Sequence, residues 1–295
     1  MSLIVGTAGD DVLSATSLNN EFDVKQGGKD KIYGNSCIDK FYFGSSLTKS
    51  DRVYGDLGID TIYLEGDYSF GLKFANGTMR DVEIIELASG FSYDITIAAL
   101  TVGSGSTLTL DATNLSFDDH VRFNGAAGAN GEELTMLGGA GADTLLGGYS
   151  ADTFDGGGGA DFLDGNANSL SALTTDTFVY AAASDSTGLI HDTVEGFNAD
   201  LDLFDLWTAV SGVDEAVAGG KLSKNFDANL SKAIGADELA AGHAVLFNPD
   251  EGKFAGKTFL VIDTNGTAGY QAGQDLVIEL VNGLNLASLN ADVFI

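Results

Sequence analysis

The chain has almost none of the residues that lock a fold covalently or stiffen its loops: one cysteine, Cys37, and one proline, Pro249, in 295 residues. A lone cysteine excludes an intramolecular disulfide, and so close to Phe41 and Phe43 it reads as a small buried hydrophobe. The scarcity of proline excludes collagen and proline-rich disorder. Positive charge is scarce too, with 14 Lys+Arg against 43 Asp+Glu and a net charge of −29. Such a chain repels nucleic acid and anionic membrane surfaces, and it repels itself unless cations neutralise it. No apolar run approaches the length of a membrane-spanning helix. Met1-Ser2-Leu3-Ile4-Val5-Gly6 offers neither the basic region nor the apolar stretch of a signal peptide. Export, if it occurs, is therefore expected without a cleaved N-terminal leader. An exported chain with no disulfide needs another staple, and metal is the obvious one.

Catalytic signatures are missing as well. The three histidines, His120, His191 and His243, have no ligand-spaced partners and read as surface or strand residues. There is no HExxH, no GxSxG elbow, no P-loop and no cysteine–histidine arrangement.

What the chain does have is glycine, 40 residues of it, and the glycines are periodic. Residues 138–146 read GGAGADTLL, 147–155 GGYSADTFD and 156–164 GGGGADFLD, three uninterrupted nonapeptides with Asp143, Asp152 and Asp161 nine apart. A fourth copy begins at Gly165-Asn166, takes an insertion, and resumes at Asp176. A second block occupies the N-terminus: 6–14, 25–33, 34–42, 46–54 and 55–63 place Asp11, Asp30, Asp39, Asp51 and Asp60 in the same slot, with Asn20 in a degenerate copy. Two residues after each aspartate comes an apolar residue: Leu13, Ile32, Phe41, Val53 and Ile62.

The spacing has a physical reading. Glycines at the first, second and fourth positions permit a tight turn with φ > 0 and crowd carbonyls toward one point. The aspartate adds a hard anionic oxygen, and the apolar residue starts a strand that points into a core. Calcium takes about six to eight oxygens in a tolerant geometry; magnesium and zinc want stricter geometry or nitrogen and sulfur donors. The alternatives are a solvated acidic surface of the halophile kind, or a glycine-rich solenoid whose aspartates bind nothing.

These nonapeptides resemble the RTX calcium-binding repeat, closely at 138–164 and 55–63 and more loosely at 15–54. The resemblance implies an all-β fold: a parallel β-roll or β-solenoid in which each calcium lies between two turns on one side, two repeats apart. It implies that Asp143 pairs with Asp161, with the carbonyls of Gly139, Gly141, Gly156 and Gly158 completing the shell. Asp152, with Gly148 in its turn, would pair with Asp176. At the N-terminus Asp11 would pair with Asp30, Asp30 with Asp51, and Asp39 with Asp60. Lys25, Lys29 and Lys49 replace favoured loop residues there, so weaker or fewer sites are expected.

The rest of the chain suggests an organisation of 1–63 as N-terminal roll, 64–127 as strand-rich solenoid spacer, 128–196 as central roll and 197–295 as C-terminal cap. In the cap, 226–241 reads as one short helix, and Thr258–Ile262 with Leu276–Leu280 as an antiparallel pair. Between those strands Asp263 and Asn265, with Asp275 beyond, form either a calcium loop or an ordinary Asx turn. His191-Asp192-Thr193-Val194-Glu195-Gly196-Phe197 and Asp202–Leu206 resemble the exit from the roll in serralysin-type exoproteins. The terminal Asp292-Val293-Phe294-Ile295 resembles the uncleaved C-terminal signal of type I secretion substrates, or else a final edge strand. The combined expectation is a secreted, non-enzymatic protein holding several Ca2+ ions and folding after passage through type I secretion machinery. Its further partners would be cell-surface polysaccharide or other copies of itself, not nucleic acid. The competing expectation is a calcium-dependent polysaccharide lyase or epimerase using Arg80, Arg122 and Tyr93, or a module of a larger exoenzyme.

Overall fold

The alternation of apolar and polar residues after each aspartate is short, three to five residues, and that is the length of the strands that form. The computed structural model describes residues 2–15, 19–97, 107–125, 133–166 and 174–295. Successive strands fall alternately on two faces. One face is a ten-stranded, wholly parallel sheet running from Ser2–Val5 to Leu203–Leu206. The opposite face begins as a four-stranded parallel sheet, Val12–Ser14 to Met79–Arg80. It continues as a second sheet from Tyr68–Phe74 through Asp192–Glu195. This is the expected parallel roll, and it runs without a break through residues 64–97 and 107–125.

One inward position per strand builds the core. Phe22, Phe41, Ile62, Ile85, Leu110, Met136, Phe154, Phe178 and Phe204 lie abreast on consecutive strands, all fully buried or within 1% of it. Leu72, Ile95, Phe123, Leu145, Leu163 and Val194 face them from the other side. Each such side chain contributes roughly 1.5–3 kcal/mol by burial. The aromatic members stack along the axis, Phe22 on Phe41 at 5.0 Å and Phe154 on Phe178 at 5.2 Å.

Beyond Glu195 the pattern changes. Leu276–Val281 joins the roll parallel to Asp192–Glu195, then Thr258–Ile262 and His243–Asn248 add antiparallel. The pair expected at 258–262 and 276–280 is therefore present. The helix is shorter than expected: it spans Phe226–Ala233 and ends before Gly235, and 235–241 forms turns. It packs Phe226 and Leu230 into a second core with Phe254, Phe259 and Val277. His191 is not at the surface; it is 8% exposed and stacked on Phe226 at 5.1 Å, with Nε2 3.6 Å from Glu279. Cys37 is half-buried rather than a core residue, because it lies in the bend before the strand Lys40–Phe43 and not on that strand's inward side. Ala291–Val293 form a short 3-10 turn, after which the chain ends as a minimal edge: Phe294 makes a parallel bridge to Phe204 and stacks over it, the Ile295 N–H donates to the Phe204 carbonyl, and the Leu206 N–H donates to the Ile295 carbonyl.

Candidate calcium-binding turns

Every repeat aspartate sits immediately before its strand, so stacking the strands stacks the carboxylates. They form ladders in which each aspartate bridges to the next one on the same side of the roll. On one side of the central block the Asp143 N–H donates to Asp161 Oδ1 (2.7 Å), and the Asp161 N–H to Asp192 Oδ1 (2.9 Å). On the other side the Asp152 N–H donates to Asp176 Oδ1, and the Asp176 N–H to Asp202 Oδ1, both at 3.0 Å. The N-terminal block repeats the arrangement: Asp11 to Asp30 (3.0 Å), Asp30 to Asp51 (2.8 Å), Asn20 to Asp39 (2.6 Å) and Asp39 to Asp60 (2.7 Å). All five aspartate pairs implied by the repeat register are thus brought together.

Three further carboxylates belong to the ladders and do not stand in a nonapeptide. Asp192 and Asp202 close the central ladders, and Glu83 accepts the Asp60 N–H at 2.8 Å. Their signal in the sequence is an acid that directly precedes a strand, as Glu83 and Asp202 do, or opens one, as Asp192 does, without the nonapeptide's run of glycines. The insertion after Asn166 lies largely outside the described residues.

The second carboxylate oxygen turns into its own loop. Asp143 Oδ2 accepts the Gly139 N–H and Asp152 Oδ2 the Gly148 N–H, each at 2.7 Å. For Gly139 and Gly148 it is the amide, then, that meets the aspartate of the same turn. The Gly139 carbonyl accepts the Gly158 N–H of the next turn (2.9 Å), and the Gly141 carbonyl faces Gly159 so closely that a Cβ there would overlap it. The Gly156 carbonyl meets Gly138 in the same way, whereas a Cβ on Gly158 would make only ordinary contact with Ala140, at 3.9 Å.

Glycine is required in these turns mostly for close approach. A Cβ on Gly147 would lie 2.5 Å from Asp152 Oδ2, and one on Gly138 2.8 Å from Asp143 Oδ2. Positive φ at the second and fourth positions occurs in the central block only at Gly157 and Gly159. The glycines permit φ > 0, but in the central block the stacking of parallel turns, rather than local φ, is the commoner constraint.

The electrostatics of the turns call for a cation. Asp60, Asp143, Asp161, Asp176 and Asp192 are all 2% exposed or less. Burial, opposed by backbone hydrogen bonds, pushes Asp60 and Asp152 up to about 7 and Asp176 up to about 8. Asp161 is raised by burial and by the charge of Asp143, and Asp192 by burial and by the charge of Asp161. Among the described residues the Oδ2 atoms of Asp60, Asp161 and Asp192 have no hydrogen-bond partner; the Tyr180 hydroxyl lies beside Asp192, short of hydrogen-bond geometry. Buried carboxylate oxygens left unmatched are costly, and a hard cation supplies what they lack. Among the described residues no three His, Cys, Asp or Glu side chains are grouped so that they could hold a metal ion by themselves. The available donors are carboxylate pairs and backbone carbonyls. That all-oxygen set suits calcium and lacks the nitrogen and sulfur donors that zinc favours.

The RTX calcium-binding nonapeptide repeat, as a family model, matches four copies in this chain, over residues 48–67 and 137–169. The chain carries RTX calcium-binding repeats. Both matched stretches coincide with the ladders: Asp51 and Asp60 in the first, Asp143, Asp152 and Asp161 in the second. A search of curated proteins finds no match.

Elsewhere the candidates fare differently. Asp263 Oδ1 accepts the N–H groups of Asn265 (3.1 Å) and Gly266 (2.9 Å), and Oδ2 accepts that of Gly242 (2.7 Å). Asn265 turns its amide to Asp275 at 2.8 Å. The geometry is that of an Asx turn with its oxygens already matched. Tyr93, Arg80 and Arg122 do not converge. The Tyr93 hydroxyl is buried against the carbonyls of Leu64 and Ala88, Arg122 pairs with Asp94, and Arg80 projects from the four-stranded sheet.

Proposed function

We propose that this calcium-binding β-roll protein is exported by a type I route and folds when it meets external calcium, serving as a non-enzymatic extracellular or cell-surface component. The observation that carries the reading is the set of buried aspartate ladders. Without metal, each ladder places several carboxylates in low-dielectric turns, where the charged form is disfavoured. A compartment poor in calcium leaves the chain self-repelling at −29 and slow to roll up, which suits passage through a narrow channel. Millimolar calcium neutralises the turns, and metal-binding energy becomes folding energy. The role as surface layer, adhesin or matrix follows from the repeat family's usual setting and from the lack of a converged catalytic constellation among the described residues.

The test is far-UV circular dichroism on an EDTA-treated sample titrated with calcium, with magnesium in parallel. A cooperative gain of β signal with calcium alone is expected. A chain fully folded in EDTA would overturn the mechanism.

A further inference from the structure

The outward face of the four-stranded N-terminal sheet is unlike the rest of this acidic molecule. Its strands alternate, with Ile32 and Val53 pointing into the core and Lys31, Tyr33, Arg52 and Tyr54 pointing out. Register lines them up in two rows. One is Val12, Lys31 and Arg52; the other is Ser14, Tyr33, Tyr54 and Arg80. Tyr33 and Tyr54 stack flat, at 5.0 Å and 5° between planes. The Arg80 side chain, 67% exposed, follows them in the row, with Asp81 at 3.4 Å as its one acidic partner among the described residues. The Arg52 guanidinium donates to the carbonyls of Lys49 and Asp51 and meets no carboxylate among the described residues.

A cross-strand aromatic pair stabilises a sheet by itself, so the pair alone implies no ligand. The molecule contains its own comparison. On the opposite face Tyr42 and Tyr63 occupy the same kind of row, 5.5 Å apart, but Asp23 precedes them and Glu86 follows them. The Tyr42 hydroxyl is taken up by Glu21 at 3.2 Å. One tyrosine row ends in a carboxylate and the other in a guanidinium.

We propose that the face bearing Tyr33, Tyr54 and Arg80, flanked by Lys31 and Arg52, binds an acidic polysaccharide. Sugar rings would lie on the flat tyrosine pair while their carboxylates or sulfates meet the cations. Parallel strands repeat about every 4.8 Å, so the rows give an extended polymer a regular series of contacts. Nucleic acid is the poorer occupant, since its dense phosphate charge meets only three cations here against a strongly negative molecule. This inference gives a partner to the extracellular role proposed above, and its signal is separate from that of calcium-driven folding.

The experiment uses the full chain at saturating calcium and measures binding of oligogalacturonate, heparin oligosaccharide, neutral dextran and oligo(dT) at two ionic strengths. Calcium itself can bridge acidic sugars to acidic protein, so the difference between variants is the readout. An acidic glycan should bind, weaken with salt, and lose at least tenfold in affinity in Tyr54→Ala and in Arg80→Gln. Tyr42→Ala should bind as the parent does. Circular dichroism of each variant at saturating calcium separates lost folding from lost binding, because the replaced side chains point outward. Absence of binding to both acidic glycans by the folded protein, equal binding of dextran or oligo(dT), or an unchanged Arg80→Gln would overturn the proposal.

Discussion

Replacing Asp60 by asparagine should stabilise the metal-free protein and weaken the calcium-bound one. Asp60 is fully buried, its Oδ1 accepts the Asp39 N–H, and its Oδ2 is unmatched beside Gly55. Asparagine keeps the acceptor for Asp39 and removes the charge. Burial, with the nearby Glu83 and Asp39, raises the Asp60 carboxyl from 3.8 to about 7. The sign follows directly: a carboxyl whose folded pKa is raised binds its proton more tightly in the folded state. Its stabilising contribution is full below the unfolded value and is lost as pH rises through about 7. A rise of about three pH units corresponds to on the order of 4 kcal/mol, most of which the asparagine variant avoids above neutrality. The D60N advantage in EDTA should therefore grow from pH 4 to pH 8. In calcium the variant lacks one anionic ligand, and its calcium midpoint should rise at least tenfold, about 1.4 kcal/mol. Urea unfolding in EDTA and in calcium, at several pH values, measures both arms. Equal destabilisation in the two conditions would refute the reasoning and reduce Asp60 to an ordinary hydrogen-bond acceptor.

The same linkage predicts that acidifying the metal-free parent from pH 8 to pH 5 increases its β signal, as Asp152 and Asp176 take up protons. In calcium the sign reverses: protons compete with the ion, and the calcium midpoint should climb as pH falls, both read by circular dichroism. Gly55→Ala should destabilise the calcium form by about 1–3 kcal/mol, because the added Cβ overlaps the Asp81 carbonyl. Gly71→Ala, in open space at φ +100°, should cost only backbone strain, about 1–2 kcal/mol; thermal melts of the pair distinguish crowding from conformation.

The roll was readable because its period is short and each slot has one physical job. Asp143, Asp152 and Asp161 lie nine apart, so their pairing with partners two repeats on is a matter of counting. The ladder ends were harder to read. Asp192, Asp202 and Glu83 arrive without the nonapeptide's run of glycines, and a lone acid near the start of a strand is common. The burial of His191 leaves no local signal, because its surroundings come from Phe226, Phe254 and Phe259, 35 to 68 residues away. The helix was overextended because the 226–241 composition is helix-compatible, while Gly235 and the packing of Leu239 end it early.

The two blocks should bind calcium in separate steps. Within a block each aspartate both accepts from one neighbour and donates to the next, so disturbing one turn disturbs those beside it, as in other nearest-neighbour arrays. Between the blocks the ladder is interrupted. The slot that holds Asp143 and Asp161 holds Tyr68, Tyr93 and Val121 in the preceding rungs, and the slot of Asp152 holds Leu108 and Leu134. Hydrophobic residues carry the core through this stretch and no carboxylate carries the coupling. The N-terminal block should be the weaker, since Asn20 replaces an acid and Lys25, Lys29 and Lys49 sit in its loops. Hydrogen exchange across a calcium titration should show protection at 139–165 before protection at 28–64. Asp161→Asn should shift the first step and leave the second in place. A single transition, with both segments protected at the same calcium concentration and shifted together by that substitution, would mean that coupling passes through the apolar rungs and that the interruption of the ladders has no energetic consequence.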